Sequence, residues 1–135
     1  MRYKPSETEI SSLPDMAPAE RLSYFLSRAL EAEEIWSLGN SAGWELQERD
    51  GRTLVPVWPY LEMARMNIPA DTTSVSPKAT SLDHFYQNIL PMMIEQQIHI
   101  DVLCMPDSAG RLIAASDLYA MLESMLESGE YYIEG

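Results

Sequence analysis

The sequence contains one cysteine, Cys104, so no disulfide can form within the chain. Small secreted domains usually pair their cysteines, and a single cysteine therefore favours a reducing compartment. The first residues lack the apolar stretch of a signal peptide, and no apolar run approaches the roughly 20 residues that a membrane-spanning helix needs. These absences predict a cytoplasmic protein without a membrane segment.

Positive charge is also scarce, because nine lysines and arginines stand against 21 acidic residues and the net charge is −12. Arg111 is the single basic residue after position 78. An acidic surface repels phosphate backbones and anionic lipid surfaces, so nucleic-acid and membrane partners are disfavoured. The charge instead favours encounter with a protein partner that has a basic surface.

Motifs for catalysis or metal binding are missing. The two histidines, His84 and His99, belong to no H-x-x-x-H or H-E-x-x-H pattern, and the chain has no C-x-x-C. His99 and Asp101 share one side of a predicted strand, but two ligands are too few for a stable site. No nucleophile elbow or phosphate-binding loop occurs. We therefore expect no metal site, no cofactor and no catalytic residue.

The spacing of apolar residues predicts three main helices in one domain over residues 17–135, after a loosely ordered polar lead-in over residues 1–16. The first helix begins near Pro18 and the second is capped by Thr80 or Ser81. Pro91 should kink or divide the second helix. The three predicted apolar stripes are Leu22, Phe25, Leu26, Ala29 and Leu30; Leu82, Phe85, Ile89, Met92 and Met93; and Leu118, Met121, Leu122, Met125 and Leu126.

Between the first two helices, three short segments alternate like strands. Asp50-Gly51 is a strong signal for a two-residue hairpin turn. Around that turn Leu46 faces Val55, and Trp44 faces Val57, on the predicted core face. A later strand runs from Ile98 to Leu103, with His99 and Asp101 outward. The fold class is therefore α+β, with an antiparallel sheet made of a three-strand meander plus one later strand.

The tryptophans give the one candidate binding surface. In the predicted register Gly43 lies opposite Trp58, Trp36 shares their face, and Pro59 ends the strand. If no helix covers that face, Trp36, Gly43, Trp58 and Pro59 form an exposed aromatic patch that marks an interaction site. If a helix covers it, the tryptophans belong to the core. The sequence leaves both alternatives open.

Several segments along the chain match the pattern of one known family. They include Ile35-Trp36-Ser37-Leu38, Gly43-Trp44, Pro56-Val57-Trp58-Pro59, Leu82-Asp83-His84-Phe85 and Ile100-Asp101-Val102. With them the chain resembles the bacterial DUF2750 family over roughly residues 20–127. The resemblance implies a compact cytoplasmic bacterial domain and supplies no activity.

Two functional hypotheses follow. The first is a non-enzymatic protein-binding module, similar in role to an immunity or adaptor protein, because catalytic motifs are missing and the charge is strongly negative. The alternative is a small-molecule binding domain or modest enzyme, with a pocket between the sheet and the helix around Phe85. A homodimer that uses the meander or the Tyr131-Tyr132-Ile133 tail is also compatible with the sequence.

Overall fold

A computed structural model describes residues 5–41, 43–68, 74–106 and 110–128. The described part is α+β, as the sequence predicts. In chain order the elements are α1 (Glu7–Ser12), a 3-10 turn (Leu13–Asp15), α2 (Pro18–Ala32), β1 (Glu34–Asn40), β2 (Gly43–Trp44), β3 (Gln47–Arg49), β4 (Arg52–Val57), α3 (Leu61–Met66), β5 (Ser76–Ser81), α4 (Leu82–His84), a π-helical turn (Phe85–Ile89), α5 (Leu90–Glu95), β6 (His99–Val102), β7 (Arg111–Ala114) and α6 (Ala115–Ser128).

The strands form two sheets, whereas the sequence predicted one antiparallel sheet. The first sheet has the order β2-β1-β5 and is antiparallel. The second has the order β3-β4-β6-β7, and its β4–β6 pair is parallel. The prediction failed because β1 pairs over most of its length with β5, a segment that lies outside the predicted meander. A meander requires strands that are neighbours in sequence to pair, whereas here β1 and β4 pair with strands that lie far along the chain.

One backbone bridge between Trp36 and Trp58 joins the two sheets. The amide of Trp36 donates to the carbonyl of Trp58 at 2.8 Å, and the amide of Trp58 donates back to Trp36 at 2.9 Å. These bonds end the hairpin strand β4 against the middle of β1. The two sheets therefore meet at a pair of tryptophans, and beside them the hydroxyl of Ser37 on β1 donates to the carbonyl of Pro56 on β4 at 2.6 Å.

The hairpin turn is confirmed, but the predicted strand pairing beyond it is only partly formed. Asp50 and Gly51 both have positive φ, at 53° and 78°, and the flanking residues Arg49 and Arg52 are paired. Pairing with β4 stops at Gln47. Trp44 pairs instead with Gly39 of β1, so the predicted pair of Gly43 with Trp58 does not form.

The N-terminal segment is helical where the sequence predicted a loose lead-in. Ser6 caps α1 by accepting a hydrogen bond from the amide of Glu9 at 3.0 Å. Glu9 accepts from the hydroxyl of Tyr24 and lies 3.5 Å from the guanidinium of Arg28, both on α2. Leu13 is fully buried in the core. The sequence did not predict this helix because the segment is mostly polar, and a single buried leucine gives no helical periodicity.

The first predicted stripe lies in the core, whereas the second and third are only partly buried because Met92 and Met121 are exposed. All five stripe residues of α2 are buried, and Ser81 caps α4 by accepting from the amide of His84 at 3.1 Å. The π-helical turn divides the second predicted helix just before Pro91, which has no amide hydrogen to donate to the preceding turn.

Candidate functional site

The four predicted site residues do not form one exposed patch. Trp58 is fully buried and donates from Nε1 to the carbonyl of Cys104 at 2.7 Å, and Pro59 is buried beside it. Trp36 is half-buried and donates from Nε1 to Oε1 of Glu34 at 2.8 Å. Gly43 is exposed on β2. The bridge between the sheets brings Trp36 and Trp58 together. Trp58 and Pro59 are core residues, whereas Trp36 and Gly43 are at least partly exposed.

Asp101 is fully buried, although strand alternation predicted it to point outward. β6 is an inner strand between β4 and β7, and the face of the sheet that carries Asp101 is buried at this residue. Nη2 of Arg49 lies 2.8 Å from Oδ2 of Asp101. This contact raises the pKa of the Arg49 guanidinium above its usual value. Among described residues Oδ1 has no hydrogen-bond partner.

Cys104 follows this strand and is poorly suited to nucleophilic catalysis. Burial, and the neighbouring carboxylate of Asp101, raise the pKa of its thiol to about 12. The thiol is therefore protonated at neutral pH, whereas the reactive form is the thiolate. The preceding residue, Leu103, has a φ of 59°, and its carbonyl accepts from Nη1 of the buried Arg21 at 3.1 Å. Buried donors thus fix this turn, which indicates an architectural role.

Replacing Arg49 with alanine should lower the free energy of unfolding by about 2–3 kcal/mol, because the buried carboxylate of Asp101 would lose its cation. This loss is smaller than the roughly 3–5 kcal/mol expected for a fully buried pair, since the Arg49 side chain is 43% exposed. Urea denaturation measures the loss. Arg65→Ala, on the exposed side of α3, is the matched control, and adding Asp101→Asn to Arg49→Ala should recover part of the loss. Equal losses for the two arginine variants would contradict this prediction.

An apolar groove of about 420 Å³ lies between β4 and the helical segment that contains α5. Trp44 forms part of its wall, and the ring centroid of Trp44 lies 6.1 Å from that of Phe85. The groove is thus next to Phe85, where the sequence placed the alternative pocket. No charged side chain appears among its described lining residues, which are Gly43, Trp44, Leu46, Val55, Ile89, Met92, Met93, Gln96 and Ile98.

Large apolar side chains are exposed along this groove. Leu46 is 54% exposed and Met92 is 42% exposed, and both line the groove. The sequence predicted Leu46 in the core. In the structure Leu46 lies one residue before the paired part of β3, which is an edge strand. Exposed apolar side chains that cluster in this way mark interaction surfaces.

A second cavity of about 520 Å³ adjoins the groove and shares Met93, Gln96 and Ile98 with it. Its wall is more polar, because Arg52 at the start of β4, His99 at the start of β6 and Ser116 in the first turn of α6 all contribute. Nδ1 of His99 is buried and has no hydrogen-bond partner in the described part of the chain. The remaining lining residues are Gly51, Thr53, Ile94, Gln97, Ala114 and Ala115.

Within the described residues, no group of three or more histidine, cysteine or acidic side chains is placed to hold a metal ion. Nor does any helix there have the length and apolar character to cross a membrane. No curated protein and no solved structure matches the chain. One family model, described as a protein of unknown function, matches residues 22–122, which is most of the chain. The chain therefore belongs to the DUF2750 family.

Proposed function

We propose that this protein is a non-enzymatic binding module that holds an apolar segment of a protein partner in the groove between β4 and α5. The exposure of Leu46 and Met92, which both line that groove, carries the proposal. Exposed leucine and methionine side chains gain free energy when a partner covers them, at roughly 25 cal/mol per Å² of apolar surface. Methionine also adapts its shape to different partners.

The charge of the chain supports a partner with a basic surface. The net charge is −12, and Glu48 on β3 and Glu95 at the end of α5 are exposed close in sequence to groove residues. Opposite charge raises the rate of encounter more than it raises the affinity. An adaptor or immunity-like role in the cytoplasm combines these two properties, since the acidic surface attracts the partner and the apolar groove retains it.

A photo-crosslinking amino acid at Met92 should capture the partner in the native host, whereas the same probe at Met66 should not. Met66 is the matched control because it is 45% exposed but lies on α3, outside the groove. The captured protein is then identified, purified and titrated against the unlabelled chain. Leu46→Asp should raise the dissociation constant at least tenfold, since a carboxylate would be buried against apolar groups.

Met66→Asp should leave the affinity for the purified partner unchanged. Leu46 is exposed, so Leu46→Asp should keep the fold, which circular dichroism checks. If the two aspartate variants bind the purified partner equally well, the groove is not the contact surface. If the protein captured is a second copy of this chain, the module is a homodimer and the proposal of a separate partner is wrong.

A small apolar molecule is the second candidate for the groove. Its volume of about 420 Å³ falls within the range of pockets that hold small ligands. Trp44 and Ile89 would provide much of the contact in that case. The two candidates differ in what covers Leu46: a protein partner protects its exposed methyl groups, while a ligand deep in the groove need not.

A further inference from the structure

The apolar groove continues into a polar cavity, so one bound segment can occupy both. The two spaces share Met93, Gln96 and Ile98. Trp44 and Met92 line the apolar groove, whereas Arg52 and Ser116 line the polar cavity. An occupant that follows this path meets apolar surface first and hydrogen-bonding groups next.

Arg52 is the basic side chain in the described wall of the polar cavity. It is exposed, and it makes no ion pair with any residue of the described part of the chain. Its hairpin neighbour Arg49 differs in this respect because Asp101 holds it. The guanidinium of Arg52 can therefore receive a carboxylate in bidentate geometry, at no cost to an existing pair.

Other groups in the cavity suit the same ligand chemistry. Ser116 offers a hydroxyl donor, and Gln97 offers an amide donor. No acidic side chain lines the cavity within the described residues, although Asp50, Glu95 and Asp117 are sequence neighbours of lining residues. The cavity thus presents a local site for an anionic oxygen group inside a surface that is otherwise acidic.

We infer that the partner's bound segment carries a carboxylate side chain next to its apolar anchor, and that Arg52 recognises this carboxylate. This inference rests on the proposed function, because the anchor must fill the groove. The acidic surface attracts a basic partner over long range, and Arg52 then fixes the direction in which the segment lies. Local charge of this kind contributes specificity and register.

Selection from a phage-displayed library of random 12-residue peptides tests the inference without the natural partner. The wild-type chain should enrich peptides that combine a large apolar residue with Asp or Glu at a constant spacing. Arg52→Glu should reverse the charge preference at that position towards Lys or Arg. Arg65→Glu, on exposed α3, is the matched control and should select the same peptides as wild type. A synthetic copy of the leading peptide should bind Arg52→Glu about three- to tenfold more weakly.

The outcomes distinguish a failure of the role of Arg52 from a failure of the groove as the binding surface. Peptides that depend on Leu46 but show no acidic preference, or that Arg52→Glu selects equally, would overturn the role of Arg52 and leave the groove intact. If Leu46→Asp binds every selected peptide as well as wild type does, the groove itself is not the binding surface. A charge reversal with Arg52→Glu that is absent with Arg65→Glu supports the inference.

Discussion

Trp58→Ala should lower the free energy of unfolding by about 4 kcal/mol, because it removes a fully buried indole from the hydrophobic core. The substitution also leaves the carbonyl of Cys104 without its donor. A domain of this size has a total stability of roughly 5–15 kcal/mol, so the loss is a large fraction of it. Urea denaturation followed by circular dichroism measures the change.

Trp58→Phe covers the case in which the alanine variant does not fold. It keeps an aromatic ring but loses the indole donor and some volume, and about 2 kcal/mol is expected. Trp36→Ala is the matched control at the other side of the bridge, where the side chain is only half-buried. A loss at Trp36 that equals or exceeds the loss for Trp58→Ala would show that burial of Trp58 does not dominate the junction.

Gly110→Ala should destabilise the protein by about 3 kcal/mol through steric overlap alone. A Cβ atom at this position would lie 2.3 Å from the carbonyl oxygen of Val102, 2.5 Å from Oδ1 of Asp101 and 2.7 Å from the amide nitrogen of Cys104. Two of these three atoms belong to the backbone and cannot rotate away. Relief therefore requires movement of the chain that follows β6.

Gly43→Ala provides the complementary control. Nothing lies within 4 Å of a Cβ atom at Gly43, but its φ is 133°, which is a conformation that L-residues rarely adopt. This variant should cost about 1–2 kcal/mol from backbone strain alone. Thermal and urea unfolding of both variants compare the two effects, and a smaller loss for Gly110→Ala than for Gly43→Ala would refute the steric argument.

Local features of the fold could be predicted from sequence because their causes are local. The apolar stripe from Leu22 to Leu30 follows helical periodicity, and the turn at Asp50-Gly51 requires residues that tolerate positive φ. Ser81 caps α4 through its own hydroxyl. Each of these signals lies within a few residues of the structure that it specifies, so no knowledge of distant chain is needed.

The sheet arrangement depends on distant pairings, which a single sequence does not display. β1 pairs with β5, and β4 pairs in parallel with β6. The outward prediction for Asp101 failed for the same reason, since alternation assumes one solvent face and β6 has none at that residue. The family resemblance, by contrast, is confirmed, because it rests on residue identities and not on pairing.

The candidate site was predicted only in outline. A pocket near Phe85 was one of the two hypotheses, but Leu46 was assigned to the core by the same alternation that correctly buried Val55. Register decided the difference: the hairpin separates at Gln47, and Trp44 transfers to β1. The signal that could have shown this is Gly39, where a Cβ atom would lie 2.3 Å from the carbonyl oxygen of Gly43.

The parallel pairing of β4 with β6 has a consequence during synthesis. Val55 pairs with Ile100, which the ribosome adds 45 residues later. At roughly 5–20 residues per second, β4 waits on the order of seconds for its partner. During that time the edge of β4 and its apolar side chains have no neighbour on that side, and other nascent chains can compete for them. Fast translation between these strands would therefore protect the newly made protein from aggregation.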